Sequence, residues 1–517
     1  MIKFDAQFLV SLGKFVKKYC EKTLTLDPIF LNFPTLALAA NNSVLTNLIA
    51  IVNHILNGIS NVLFFSISGI PLIVLWLVCG SLFFTFRMNL INIWGFRHAI
   101  DIALGKYEQP NQNGEISSFQ ALSTALSAGV GLGSIGGVAF AISIGGPGAA
   151  FWMTLAGLLA MSSKFVECTL AQKYRVVRPD GTIAGGPMYY LSAGLAEMGY
   201  QKLGKIVSLV FCIFAIAGSF GGSSMFQANQ SFEVMASVVP WLINRGWVYG
   251  LIMVGLVTLV IIGGIQRIGV VAGTIVPVMC GIYILTSLWI LIVNFSSIPS
   301  AIETIVTEAF SPQAVEGGLI GALVQGLRRS TFTNEAGLGS SAIAHAAART
   351  EEPVREGIIA LLEPFIVTVV ICNMTSLVIV ITGVYKNSEF ADFGGAEMTA
   401  AAFGSVISWF PILLAISVFF FAFSTMISWS YYGEICWDYL FGSRTLIVYK
   451  VLFLITIFIG AVANPEPVIN FSDSMLNAMG LPNLFGIYFL CGKVATELKD
   501  YMERLNSGKI VPVTQSS

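Results

Sequence analysis

The chain has 517 residues, of which 56% are hydrophobic and only 11% charged, with a mean hydropathy of +0.80. That balance excludes an ordinary soluble globule and defines a polytopic, all-α membrane protein. The formal net charge is −1 and no long run of one sign occurs, so nothing in the composition supports a nucleic-acid partner.

Residues 1–66 form an amino-terminal extension. They carry Lys3, Lys14, Lys17, Lys18 and Lys22, with short apolar stretches interrupted by Pro28, Pro34, Asn41 and Asn42, and no cleavable signal is read there. Residues 47–66 mix apolar side chains with Asn47, Asn53, His54, Asn57 and Asn61, a pattern suited to an interfacial helix. The first span is predicted at about 69–86, a peripheral transmembrane helix followed by a loop within 67–115. Ten further spans are predicted near 118–143, 148–171, 205–230, 247–264, 268–294, 318–345, 356–383, 409–430, 446–463 and 467–492. The positive residues of alternate loops, from Arg87 and Arg97 through Arg175 and Arg178 to Lys493 and Arg504, fall on one side. The opposite loops after the first span offer only Arg245 and Lys386, and one carries Glu303, Glu308 and Glu316. The positive side is therefore expected in the cytoplasm, with the amino terminus outside and residues 493–517 as a cytoplasmic tail. The five amino-terminal lysines run against this rule.

Within the second predicted span lies Gly129-Val-Gly131-Leu-Gly133-Ser134-Ile-Gly136-Gly137, and Gly337-Leu-Gly339-Ser340 repeats the pattern within the seventh. Glycine weakens helices, and freed backbone groups at membrane depth must be buried in protein or line a cavity. Ten spans divide into five and five, so the second set crosses the bilayer in the opposite sense. We expect an inverted repeat, 116–295 and 296–492, with a discontinuous first helix in each half and a transport site between the breaks. Plain close packing of small residues is the alternative. Gly131-x-Gly133-x-x-Gly136 also matches the dinucleotide fingerprint, but the strand and βαβ unit that motif needs are missing.

The eight cysteines form no Cys-x-x-Cys pair and the three histidines are dispersed, so neither a metal centre nor a catalytic set is indicated. Gln227 and Asn229 are the best polar candidates to line such a site, with helix-to-helix bonding as the rival role. Lys164 and Glu167 are spaced for an i, i+3 pair near a helix end. Arg328, Arg329 and Glu335 flank the second break, and an arginine–acid pair there, Arg329 with Glu335, is expected to form part of an outer gate. Glu363, before Pro364 in an apolar helix, is an alternative proton-coupling residue.

Five runs in order, Ile116-Ser-Ser-Phe-Gln-Ala-Leu122, Gly145-Gly-Pro-Gly-Ala-Ala-Phe-Trp-Met153, Gly185-Gly-Pro-Met-Tyr-Tyr190, Asn334-Glu-Ala-Gly-Leu-Gly-Ser340 with Ile343-Ala-His-Ala346, and Phe421-Ala-Phe-Ser-Thr-Met-Ile-Ser-Trp-Ser-Tyr-Tyr-Gly433, strongly resemble the alanine or glycine:cation symporter family. The likeness covers about 69–492. It implies a LeuT-type fold and a sodium-coupled importer of small neutral amino acids in a bacterial or archaeal inner membrane.

Carried onto this sequence, the resemblance implies that the substrate carboxylate meets the backbone amides of Leu132, Gly133 and Ser134. Carbonyls from Thr333 and Asn334 to Gly337 would meet its ammonium, and Trp429 would cover it. The sodium ligands would be carbonyls of Ser127, Val130 and Phe421 with hydroxyls of Ser424 and Thr425, an oxygen-only set that suits a hard cation. Many family members have Thr-Gly-Asn where this chain has Leu132-Gly133-Ser134, so the substrate can differ from alanine. No cofactor beyond the sodium ion and no obligate protein partner are expected; the partners are the amino acid, sodium and the lipid bilayer. The rival readings are a proton-coupled carrier of another amino acid such as glutamine, and, from other classes, a channel or a membrane-embedded enzyme.

Overall fold

The structure, a computed structural model, describes residues 65–67, 70–109, 111–311, 318–387, 395–407 and 409–513. The extension over 1–66, with its interfacial helix, lies outside the described residues except for its last two positions. Among the described residues, eight helices are long and apolar enough to cross a membrane, and Leu72–Arg87 and Gly246–Ile261 are shorter apolar helices. The chain is a multi-pass membrane protein.

Helix α1 is Leu72–Arg87 and α2, Phe96–Ala103, is a short helix after it. Next come α3 (Ser118–Gly129), α4 (Leu132–Gly145), α5 (Gly148–Lys173) and the short α6 (Pro187–Glu197). Helices α7 (Gln201–Phe220) and α8 (Phe226–Val238) are joined by a wide π turn over Gly221–Met225. Then follow α9 (Gly246–Ile261), α10 (Gly264–Val293) and α11 (Ile298–Ala309). The broken pair α12 (Gly318–Asn334) and α13 (Ser341–Ala346) precedes α14 (Pro353–Ala360) and α15 (Asn373–Thr382). The chain ends in α16 (Gly395–Gly404), α17 (Phe410–Phe441), α18 (Leu446–Val462) and α19 (Pro465–Asn506). Helix α19 runs well past residue 492 into the segment read from sequence as a tail, where Arg504 forks onto Glu352 at 2.6 and 2.9 Å. The only strands among the described residues are two-residue hairpins, such as Val176–Val177 paired with Ile183–Ala184.

Each break has a local cause. A capping box starts α3: the Ser117 hydroxyl accepts from the Gln120 amide at 3.1 Å, and the Gln120 side chain accepts from the Ser117 amide at 3.0 Å. The helix stops where Val130 takes ψ 77° and Gly131 is extended at φ −128°, ψ −156°. At the second break Glu335, Gly337 and Gly339 have φ of 53°, 86° and 81°, a left-handed run in which glycine relieves two of the three positions. Between α14 and α15 the short turn Leu362–Pro364 leads into a π turn over Phe365–Cys372. Pro364 lacks an amide hydrogen, so the ordinary ladder cannot continue through it.

Packing then brings the breaks together. Helix α5 contacts α12, α1 and α14, while α17 contacts α3, α8 and α10. The α5–α12 approach depends on Gly326, because a Cβ there would stand 2.4 Å from the Ala149 carbonyl oxygen. Close backbone approach of this kind is the usual way membrane helices associate.

Candidate functional site

A small cavity lies between the two breaks, walled by Ala128, Gly129, Gly131 and Gly133 of the first, Phe332 and Glu335 of the second, Gly222 and Gln227 of the α7–α8 span, Thr425 and Trp429 of α17, and Leu476 of α19. Gln227 is 4% exposed, and its Oε1 has no hydrogen-bond partner in the protein. A buried acceptor of this kind can be met by an ordered water or by a donor from a bound molecule. Gly131 brings two kinds of chemistry together. A Cβ on it would stand 2.9 Å from Thr425 Oγ1 and 3.3 Å from Gln227 Oε1.

Beside the cavity, α3 and α17 are joined through oxygen atoms. The Thr425 hydroxyl lies 2.7 Å from the Ser127 carbonyl and 2.9 Å from that of Phe421, and the Ser424 hydroxyl donates to Phe421 at 3.0 Å. The Ser127 hydroxyl donates to the Ser424 carbonyl at 2.8 Å and meets the Ser428 hydroxyl. Thr425 has one proton for two carbonyls, and the Phe421 carbonyl also accepts from Ser424. Such a set offers a hard cation several oxygens and no soft ligand. Val130 is fully buried next to it, with its amide bonded to the Leu126 carbonyl at 2.6 Å.

Several residues proposed from sequence are engaged elsewhere. Asn229 ties α8 to the end of α18, donating to the carbonyls of Gly460 at 3.2 Å and Ala463 at 2.7 Å, so the helix-to-helix role describes it. Asn334 braces its own break, donating to Ser330 Oγ at 3.0 Å and accepting from the Ala336 amide at 3.0 Å. Gly337 faces away from the cavity: its carbonyl accepts from Asn483 at 2.9 Å, and a Cβ would stand 2.5 Å from Leu77 Cδ2. The Thr333 carbonyl crosses the first break, 2.9 Å from where a Cβ of Gly129 would be. Leu132 and Gly133 open α4, and the first amides of a helix have no acceptor within it. The Ser134 amide instead donates to Gly131 at 3.1 Å and its hydroxyl to Gly129 at 3.2 Å.

The charged residues pair differently from the sequence expectation. Arg328 and Arg329 turn to Asp473 of α19, at 2.7 and 3.6 Å, rather than to Glu335. Arg329 also lies over the rings of Phe140 and Phe332, 4.5 and 5.8 Å from their centroids, and Phe332 is in the cavity wall. Glu335 Oε1 accepts from Trp429 Nε1 at 3.0 Å, and Oε2 accepts from the Ser340 hydroxyl. Lys164 and Glu167, expected near a helix end, are both fully buried. Lys164 pairs with Glu363 at 2.9 Å, and Ser341 bridges the two.

Beyond the second break, backbone and side chains fasten α13 to the start of α3. Ile116 and Ala348 form a parallel bridge, Glu356 accepts from Ser118 at 2.8 Å and meets His345 Nδ1 at 2.7 Å. Arg175 caps the same region, donating to the carbonyls of Ala348 at 2.6 Å and Thr350 at 2.7 Å. Sequence reasoning passed over Gly222, Phe332, Leu476 and Asp473. The Gly221-Gly222 pair and an acid inside a predicted span were readable signals, whereas Phe332 and Leu476 carry none.

A cavity between two broken helices, beside a cluster of hydroxyl and carbonyl oxygens, is the arrangement expected of a membrane carrier. The sodium:alanine symporter family matches residues 49–516, and the chain belongs to it. It is a cation-coupled amino-acid transporter, not an enzyme. It is 40% identical over 444 residues to the sodium/alanine symporter AgcS of Methanococcus maripaludis, covering 85% of this chain and 96% of that protein. It is 35% identical over 454 residues to the amino-acid carrier protein AlsT of Bacillus subtilis, covering 86% and 94%. It is 34% identical over 462 residues to the probable sodium/glutamine symporter GlnT of the same organism, covering 89% and 92%. Among solved structures it is similar to MhsT in complex with L-phenylalanine, with a TM-score of 0.48 at 10% identity over 75% of this chain and 99% of that one.

Proposed function

We propose that the protein imports a small neutral amino acid, alanine or glycine, driven by sodium and working by alternating access in the inner (plasma) membrane of a bacterium or archaeon. The observation that carries this reading is the pair of atoms flanking Gly131: a hydroxyl of the oxygen-only cluster on one side and an unpartnered buried amide oxygen on the other. Sodium would be held by the carbonyls of Ser127, Val130 and Phe421 and the hydroxyls of Ser424 and Thr425. The substrate carboxylate would lie against the opening amides of α4, where the helix dipole favours negative charge. Gln227 Oε1 and carbonyls such as that of Thr333 would accept from the ammonium group, and Trp429 would cover the side chain. The wall formed by Phe332, Trp429 and Leu476 favours a short substrate side chain over one the size of glutamine.

In this reading the molecule has a LeuT-type 5+5 inverted repeat, residues 116–295 and 296–492, with α1 peripheral, the amino terminus outside and the carboxyl terminus cytoplasmic. The two broken helices and the charge of the loops support it. Ions drawn between Ser127 and Thr425 pull α3 onto α17, and substrate occupancy then favours closure. Arg329, its acid Asp473 and Phe332 form the outer gate. The Ser118–Glu356–His345 cluster and the Arg175 clamp form the inner one, which must part for release. Purified protein in liposomes tests the reading with a panel of alanine, glycine and glutamine. An inward sodium gradient is expected to drive accumulation of alanine or glycine. No accumulation of either refutes the substrate, and equal uptake driven by a proton gradient without sodium refutes the ion.

A further inference from the structure

Among the described residues Glu335 is the one carboxylate in the cavity wall, and it is 3% exposed. It occupies a left-handed position, φ 53°, that a glutamate side chain does not favour. Its carboxylate is held from two sides, by Trp429 Nε1 at 3.0 Å and by the Ser340 hydroxyl. Both donors are neutral. Among the described residues no arginine or lysine pairs with Glu335, because Arg328 and Arg329 meet Asp473 and Lys164 meets Glu363 at 2.9 Å.

Charge around the cavity is therefore uneven. Of Glu335 in the cavity wall and the buried Glu167 and Glu363 behind it, only Glu363 has a cation within salt-bridge distance among the described residues, Lys164. An unpaired buried carboxylate is costly unless a cation or several donors meet it. Each carboxylate oxygen has two acceptor positions, and Trp429 and Ser340 take one on each, so room for a further donor remains. Gln227 Oε1, a second side-chain acceptor in the same wall, has no partner in the protein. A primary ammonium group carries the positive charge and the three donors that such a wall lacks.

We propose that Glu335 is the counter-charge for the ammonium group of the transported amino acid, with Trp429 and Ser340 as positioning residues for its carboxylate. The inference rests on the reading that this cavity holds the amino acid, and it assigns that substrate's recognition to charge rather than to hydrogen bonding alone. Ligands with a primary ammonium next to a small side chain belong in the site. Isosteres with a hydroxyl in its place do not.

The test is binding to purified full-length protein in saturating sodium, with alanine, lactate (hydroxyl for ammonium) and alaninamide (ammonium without carboxylate) as ligands. Wild type is expected to prefer alanine to lactate by about 100-fold or more, as charge-assisted contacts in a dry site require. Glu335→Gln is expected to weaken alanine and alaninamide by about 30-fold or more and to collapse the alanine-to-lactate ratio, since lactate loses little. Glu335→Asp keeps the charge but withdraws it, so its ratio falls between the two. A purely structural role for Glu335 would weaken alanine and lactate alike and leave the ratio unchanged. Wild type that binds lactate within a few-fold of alanine, or an unchanged ratio in Glu335→Gln, overturns the inference. If Glu335→Gln does not fold, an unchanged ratio in Glu335→Asp overturns it just as well. Failure of wild type to bind any small amino acid would instead remove the reading of the cavity itself.

Discussion

Substituting Gly131 by alanine places one methyl group between the two halves of the site. Its carbon would stand 2.9 Å from Thr425 Oγ1, 3.3 Å from Gln227 Oε1 and 3.4 Å from Gln227 Nε2. The backbone at Gly131, φ −128° and ψ −156°, is extended and open to alanine, so the effect falls on the neighbours. Gln227 can swing aside. Thr425 is β-branched with few rotamers, and its hydroxyl is held between carbonyls 2.7 and 2.9 Å away, so moving it breaks up the oxygen cluster. Overpacking by a methyl group costs about 1–3 kcal/mol, which is about 5- to 150-fold in affinity if the bound state bears it. Sodium and amino acid should both bind more weakly, measured as sodium-dependent binding of labelled alanine, while the melting temperature in detergent changes little. Gly281→Ala is the control, since a Cβ there meets nothing within 4 Å. Affinities in Gly131→Ala equal to those of the control would refute the placement of the two ligands on either side of this glycine.

Gln227→Ala and Asn229→Ala should separate function from packing. The first raises the KM for uptake and leaves the melting temperature near wild type, whereas the second strands the Gly460 and Ala463 carbonyls and lowers stability by about 0.6–1.7 kcal/mol with KM unchanged. Asp473→Asn removes the acid that faces Arg329, so bound alanine should dissociate faster in a release assay and the protein should melt earlier. His98, on α2 outside the spanning helices, has its imidazole held below its usual value, chiefly by burial and further by Arg355, with Asp101 opposing. A depressed value means that the stability it contributes is whole above about pH 6.5 and is lost as pH falls through the folded value. His98→Asn should therefore melt with a shallower acid-side decline than wild type, and parallel declines would contradict this.

The two breaks were legible because glycine clusters inside apolar helices have few explanations, and the structure interrupts α3–α4 and α12–α13 at those stretches. The Phe421-x-x-Ser424-Thr425 spacing was legible for the same kind of reason, since i, i+3 and i+4 share a helix face. Which polar side chain turns inward was not. Gln227 and Asn229 are two positions apart on one helix, and only the packing of α18 against α8 decides that Asn229 faces Gly460 and Ala463. The arginine partner was equally out of reach. Glu335 is near Arg328 and Arg329 in sequence, but its left-handed backbone aims it at Trp429, and Asp473 arrives from a helix far along the chain. Lys164 and Glu167 looked like an i, i+3 pair because their true neighbours, Glu363 and Asn483, come from other helices.

In the proposed arrangement, sodium and the amino acid bind side by side across Gly131. Equilibrium binding to purified protein tests it directly, with the amino-acid affinity measured at zero and saturating sodium, and the sodium affinity measured without and with amino acid. Linkage requires the two ratios to be equal. Each ligand is expected to tighten the other by the same factor, and Thr425→Val to abolish the coupling. An amino-acid affinity that does not change between zero and saturating sodium would contradict it.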